Sequence, residues 1–168
     1  FYFCKSEKTI QSGMKNKLLF LTLLVFQFTF SQNIPPEISS DGSQIYCPLS
    51  FQSIVTGFNI IDPDDSSIDA LYIQISEGYV EGEDFLTLAG EHPGVQETWN
   101  AIEGKLELTG NGGVQVLYVD LIAAVYDIKF NSVNPNPSDK SFSFTIGDTN
   151  YLDSTGHYYE FISLVDVT

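Results

Sequence analysis

Apolar residues in this chain recur mostly at every second position. Leu71, Ile73 and Ile75 alternate with Tyr72, Gln74 and Ser76, and Leu106 and Leu108 with Lys105, Glu107 and Thr109. Tyr126, Ile128 and Phe130 alternate with Asp127 and Lys129, and Phe142, Phe144 and Ile146 with Ser141, Ser143 and Thr145. Side chains of a strand point alternately to its two faces, so each run predicts a strand with one apolar and one wet face. Turn-forming clusters separate them: Asp62-Pro63-Asp64-Asp65-Ser66-Ser67, His92-Pro93-Gly94, Gly110-Asn111-Gly112-Gly113 and Asn134 to Asp139. Strands so punctuated predict an all-β fold, an antiparallel Greek-key sandwich. One stretch breaks the period. Leu117, Tyr118, Leu121, Ile122 and Val125 recur at three and four, which predicts a short helix from about Val116 to Ala124 that buries Leu117, Leu121 and Val125. His157 to Ile162 reads as one more strand.

The first part of the chain follows a different rule. Met14-Lys15-Asn16-Lys17 leads into the apolar run Leu18–Phe30 and then Ser31. A basic start, an apolar stretch and a small residue describe a secretory signal peptide, 14–31, with Thr29 and Ser31 at the −3 and −1 positions. The run falls short of the roughly 20 residues that a membrane span needs. Residues 1–13 precede that Met and are set aside as upstream sequence. The expected location is secreted or cell-surface, with no stable membrane insertion after cleavage, and the sandwich occupies 32–150.

Charge narrows the partners. The 168 residues carry 7 Lys and no Arg against 22 acids, a net charge of −15. Past the signal segment only Lys105, Lys129 and Lys140 remain. Such a field repels nucleic acid and anionic membranes. Of the two cysteines only Cys47 lies beyond the signal segment, so no disulfide framework exists there, and Cys47 reads as a small buried residue.

Candidate chemistry is sparse. Asp62, Asp64 and Asp65 crowd one turn, where a hard cation such as Ca²⁺ would relieve their repulsion. The loop is no EF-hand, since Ile73 stands where the bidentate Glu belongs. The competing reading is a solvated turn with Pro63 setting its backbone. Asp148 ends a predicted strand, where it would share a pole with a neighbouring domain's first turn and supply an inter-domain ligand, or close an Asx turn. Glu81, Glu83 and Asp84 offer paired carboxylates of the kind glycosidases use, although a solvated hairpin loop explains them as well. Trp99 suits either a core or edge position or the stacking of a sugar ring. His92 and His157 stand apart without zinc-ligand spacing, and no G-x-S-x-G, P-loop or G-x-G-x-x-G run occurs.

Taken together, Phe58 to Asp65, Tyr79 to Leu88 with Gly82-Glu83-Asp84, Trp99-Asn100, Gly104 to Leu108, Tyr118-x-x-Leu121 and Asn136-Pro137-Ser138 before Phe142 to Asp148 resemble the cadherin-like sandwich repeats of large bacterial surface proteins. The resemblance spans about 33–148. It implies a non-enzymatic adhesion or spacer module, partnered by other surface-protein domains or extracellular glycans, with Ca²⁺ held by Asp62, Asp64, Asp65 and Asp148. The alternating Asp and Asn of the cadherin junction shrink here to Asp148-Thr149-Asn150. The tail from Asp148, through Gly156-His157-Tyr158-Tyr159-Glu160, is similar to a junction in exported surface proteins where a C-type lectin-like domain begins. That likeness implies that 151–168 is a linker and the first strand of a lectin, and it adds carbohydrate binding as a second function. A secreted glycoside hydrolase fragment is the third.

Overall fold

The alternating runs build the largest sheet. β6 (Ala70–Glu77), β9 (Lys105–Gly110) and β12 (Lys140–Gly147) pair antiparallel, with β6 between the other two. The register sets Phe144 opposite Ile73, Ile73 opposite Leu106, Ile146 opposite Leu71 and Leu71 opposite Leu108. Every one of these residues is fully buried. One face of the sheet is therefore a continuous apolar surface, as the period of two requires. β8 (Val95–Asn100) extends the sheet beyond β9. On the other side β12 pairs antiparallel with β13 (Tyr158–Asp166), and β13 pairs parallel with β2 (Ser43–Tyr46). The strand order is β2-β13-β12-β6-β9-β8. In this computed structural model the described residues are 34–147 together with the backbone of 158–166, and Ser43 is described by its backbone alone. Residues 1–13, the expected signal peptide 14–31 and Asp148 lie outside them.

Smaller sheets supply the facing apolar rows. β11 (Ile128–Ser132) lies between β3 (Gln52–Ser53) and β7 (Asp84–Leu88), antiparallel to both, and sets Phe130 opposite Leu86. β1 (Glu37–Asp41) pairs antiparallel with β4 (Gly57–Ile61). Aromatic rings join these strands to the large sheet. Phe130 of β11 meets Phe142 of β12 edge-on with ring centres 5.7 Å apart, and Phe58 of β4 meets Phe144 at 5.2 Å. Tyr46 packs edge-on against Phe130 at 4.9 Å. Its hydroxyl accepts the Ser132 N–H at 2.9 Å, tying β2 to the end of β11.

The helix forms two residues later than the spacing predicts. Val116–Leu117 stay extended as β10 and pair with β5 (Ser67–Ile68), and α1 runs from Tyr118 to Tyr126. The shift rotates the buried stripe to Tyr118, Leu121, Ala124 and Val125. Leu117, expected inside, is 48% exposed, and Val116 is buried instead. Tyr126, expected to open the next strand, ends the helix, and its hydroxyl accepts the Phe58 N–H at 3.0 Å.

One further expectation is corrected. Cys47 is exposed. It begins a turn in which the Ser50 N–H and hydroxyl both donate to its carbonyl, so the chain leaves the core there. The strand near the end of the chain, which the lectin resemblance assigns to a second domain, is hydrogen-bonded between β12 and β2. Its backbone partners come from this sheet. In the Cys47–Ser50 turn Leu49 has φ +64°, a left-handed conformation that costs a β-carbon residue about 1 kcal/mol. Its side chain is exposed, so Leu49→Gly is expected to raise the unfolding free energy by about 0.5–1 kcal/mol. Chemical denaturation checks this, and an unchanged midpoint would show the strain to be relaxed already.

Candidate functional site

Among the described residues the acidic turn after β4 is the most organised polar feature. Asp62 Oδ1 accepts the N–H groups of Asp64 at 3.1 Å and Asp65 at 3.0 Å, an Asx-type closure that Pro63 favours by fixing its own φ. Asp62 Oδ2 accepts the hydroxyl of Tyr118, the first residue of α1, at 2.7 Å. The Tyr118 N–H in turn donates to the Ser66 carbonyl at 2.9 Å. One carboxylate thus closes the turn and locks it to the helix. The Asp64 carboxylate also accepts the Ile34 N–H, at 3.1 Å and 3.3 Å. Beside Asp62 lies an open groove of about 400 Å³ bordered by Ile61, Leu117 and Val119.

Burial pushes the Asp62 carboxyl upward, but the Tyr118 hydroxyl and the two backbone donors outweigh it and hold the group below its ordinary 3.8. A depressed folded-state pKa stabilises above the unfolded value, and that stabilisation is lost as pH falls through the folded one. Stability is therefore expected to drop as pH is lowered below about 4, and Asp62→Ala is expected to flatten that part of the curve. Melting followed between pH 5 and 2 tests it; equal acid slopes in both proteins would remove Asp62 from the account.

Of the expected calcium ligands, Asp62, Asp64 and Asp65 share this turn. Among the described residues no three Asp, Glu, His or Cys side chains come together as a metal would need. Both Asp62 oxygens already serve protein donors, and Asp148 lies outside the described residues.

Trp99 sits half-buried on β8 and meets Tyr79 edge-on, ring centres 6.3 Å apart. The Tyr79 hydroxyl donates to the Ala101 carbonyl. Gly104, at φ +62°, passes over the Tyr79 ring so closely that a β-carbon there would lie 2.7 Å from it. Burial first, then the nearby Glu81 and Asp84, raise the Tyr79 phenol above 10.0. Trp99 is thus part of the packing that holds the β8–β9 turn over Tyr79, and its indole N–H is buried without an acceptor.

The paired carboxylates part company. Glu81 is exposed, and Glu83 accepts the Asn134 side-chain amide at 2.8 Å. Asp84, expected in a solvated loop, is 1% exposed, and its Oδ2 lies 2.7 Å from the Lys140 nitrogen, itself 3% exposed. This pair escaped the sequence reading, although a signal was there. Lys140 holds the same parity as Phe142, Phe144 and Ile146, so the alternation places it on the inward row. His92 Nε2 lies 3.1 Å from Asp127 Oδ2 and 3.2 Å from the Ala89 carbonyl oxygen, at the edge of a hollow of about 310 Å³ that Asp120 also borders.

Comparison with family models, with curated proteins and with solved structures finds no match for the chain.

Proposed function

We propose that this chain is a non-enzymatic extracellular module, an adhesion or spacer domain exported by the segment 14–31 and threaded in line within a larger surface protein. The observation that carries this is the parallel pairing of β2 with β13. Strands that run side by side in one direction have their starts at one pole and their ends at the other. The chain thus arrives at one pole through β1 and β2 and leaves β13 at the opposite one, the geometry of a bead on a string. Two features favour a Greek-key, cadherin-like sandwich as the form of the bead. The opening strand is divided at Gly42, β1 pairing with β4 and β2 joining the large sheet. The chain also changes sheets from β6 to β7 and again from β11 to β12. Past residue 31 the chain holds 3 Lys against 21 acids, which keeps such a bead soluble and off anionic surfaces. Protein donors close the Asp62 turn, and Ca²⁺ at Asp62, Asp64, Asp65 and Asp148 would add to the stability of the bead.

Pulling on the chain by its two ends tests the idea. Parallel neighbours loaded from opposite ends are sheared, so their hydrogen bonds must break together. One cooperative rupture is expected; gradual peeling at low force would count against an in-line module. Glycan-array binding abolished by Trp99→Ala would replace the spacer with a carbohydrate-binding role.

A further inference from the structure

We propose that Lys140 and Asp84 condense to an intramolecular amide, a covalent tie between the two faces of the core. The two residues lie on inward positions of different sheets, Asp84 at the start of β7 and Lys140 at the start of β12, 56 positions apart in the chain. Neither reaches water, with side chains 1% and 3% exposed.

The hydrogen-bonding partners fit an amide better than an ion pair. An ammonium has three protons to place and a carboxylate two oxygens to satisfy. Here the Lys140 nitrogen meets the Gly78 carbonyl and Asp84 Oδ2. Asp84 Oδ2 also accepts the Val80 N–H at 2.8 Å, while Asp84 Oδ1 is buried with no partner at all. A buried carboxylate oxygen left without a donor is costly. An amide has one N–H and one carbonyl. The Gly78 carbonyl is in place for the first and the Val80 N–H for the second. The unpartnered Oδ1 is the atom that leaves.

The step balances without any co-reactant. Proton transfer within the pair leaves a neutral amine on Lys140 and places the acid proton on Asp84 Oδ1. The nitrogen lone pair attacks Asp84 Cγ, and the carbonyl π pair moves onto Oδ2, where the Val80 N–H stabilises it. Collapse re-forms the C–Oδ2 double bond and breaks C–Oδ1. Oδ1 departs as water with its own proton and one from nitrogen. No oxidation state changes.

The full chain is expressed, purified, denatured and weighed by mass spectrometry, then digested with trypsin and sequenced by fragmentation. The expected result is a mass one water below that of the sequence, a missing cleavage after Lys140, and a branched peptide joining the segments that carry Asp84 and Lys140. The same preparation of Lys140→Arg, or of Asp84→Ala, is expected to regain the water. A succinimide at Asp41-Gly42 also removes one water, but it opens in mild base and produces no branched peptide. The parent protein alone decides the matter even if a variant fails to fold. A full sequence mass, or a linear peptide ending at a cleaved Lys140, overturns the proposal.

Discussion

Phe130→Ala is expected to lower the unfolding free energy by about 3–5 kcal/mol, the range for removing a buried aromatic from a packed interior. The position justifies the upper part of that range. Phe130 is fully buried in the middle of β11, the central strand of its sheet. Its ring touches Phe142 of the large sheet and Tyr46 of β2. Removing it empties the point where three elements meet, and β11, hydrogen-bonded on both sides, has little freedom to close the gap. Loss of the ring also loosens Tyr46, whose hydroxyl caps the buried Ser132 N–H. Urea denaturation measures the effect as a fall in midpoint at constant slope. A loss below about 1 kcal/mol would mean that the sheets do not meet through these rings.

Asp84→Ala is expected to cost a similar amount, about 3–5 kcal/mol, because it strands a buried amine with a single carbonyl partner. Lys140 has no route to solvent from the inward row of β12, so the charge has to be neutralised or the strand end has to open. The apolar double variant Asp84→Leu with Lys140→Met separates two causes. If the residues form only an ion pair, replacement by packed carbon is about neutral. If they are joined, the tie constrains the denatured chain across 56 positions, and the double variant stays well below the parent. Denaturation of the three proteins side by side gives the answer, and a single variant as stable as the parent would contradict both accounts of the site.

The strands were legible because period-two burial is a local property. Leu71–Ile75, Leu106–Leu108 and Phe142–Ile146 face inward in the structure as their spacing predicts. The order of the strands was not, since an inward face does not say which strand lies beside it. The late start of α1 has the same origin. Val116 and Leu117 fit a helix by spacing, but pairing with Ser67–Ile68 keeps them extended, and that partner is remote in sequence. At the acidic turn, Asp-Pro-Asp-Asp reads as a turn whose backbone Pro63 sets, and the closure by the Asp62 carboxylate is seen only in the structure. Its anchor on Tyr118 is a tertiary contact that no local pattern encodes. Asp84 and Lys140 were hidden by their charge, which suggests the surface, while the parity of Lys140 already placed it inside.

The central claim is that the chain enters and leaves this body at opposite poles. Spin labels placed at Glu37, where β1 begins, and at Asp166, where β13 ends opposite Tyr46, measure it directly. Nine residue steps of extended chain lead from Glu37 to Tyr46, so a distance of about 30 Å is expected from the strand rise of about 3.3 Å per residue. A distance near 10 Å, about two strand spacings, would mean that β13 runs the other way, and it would contradict the in-line module.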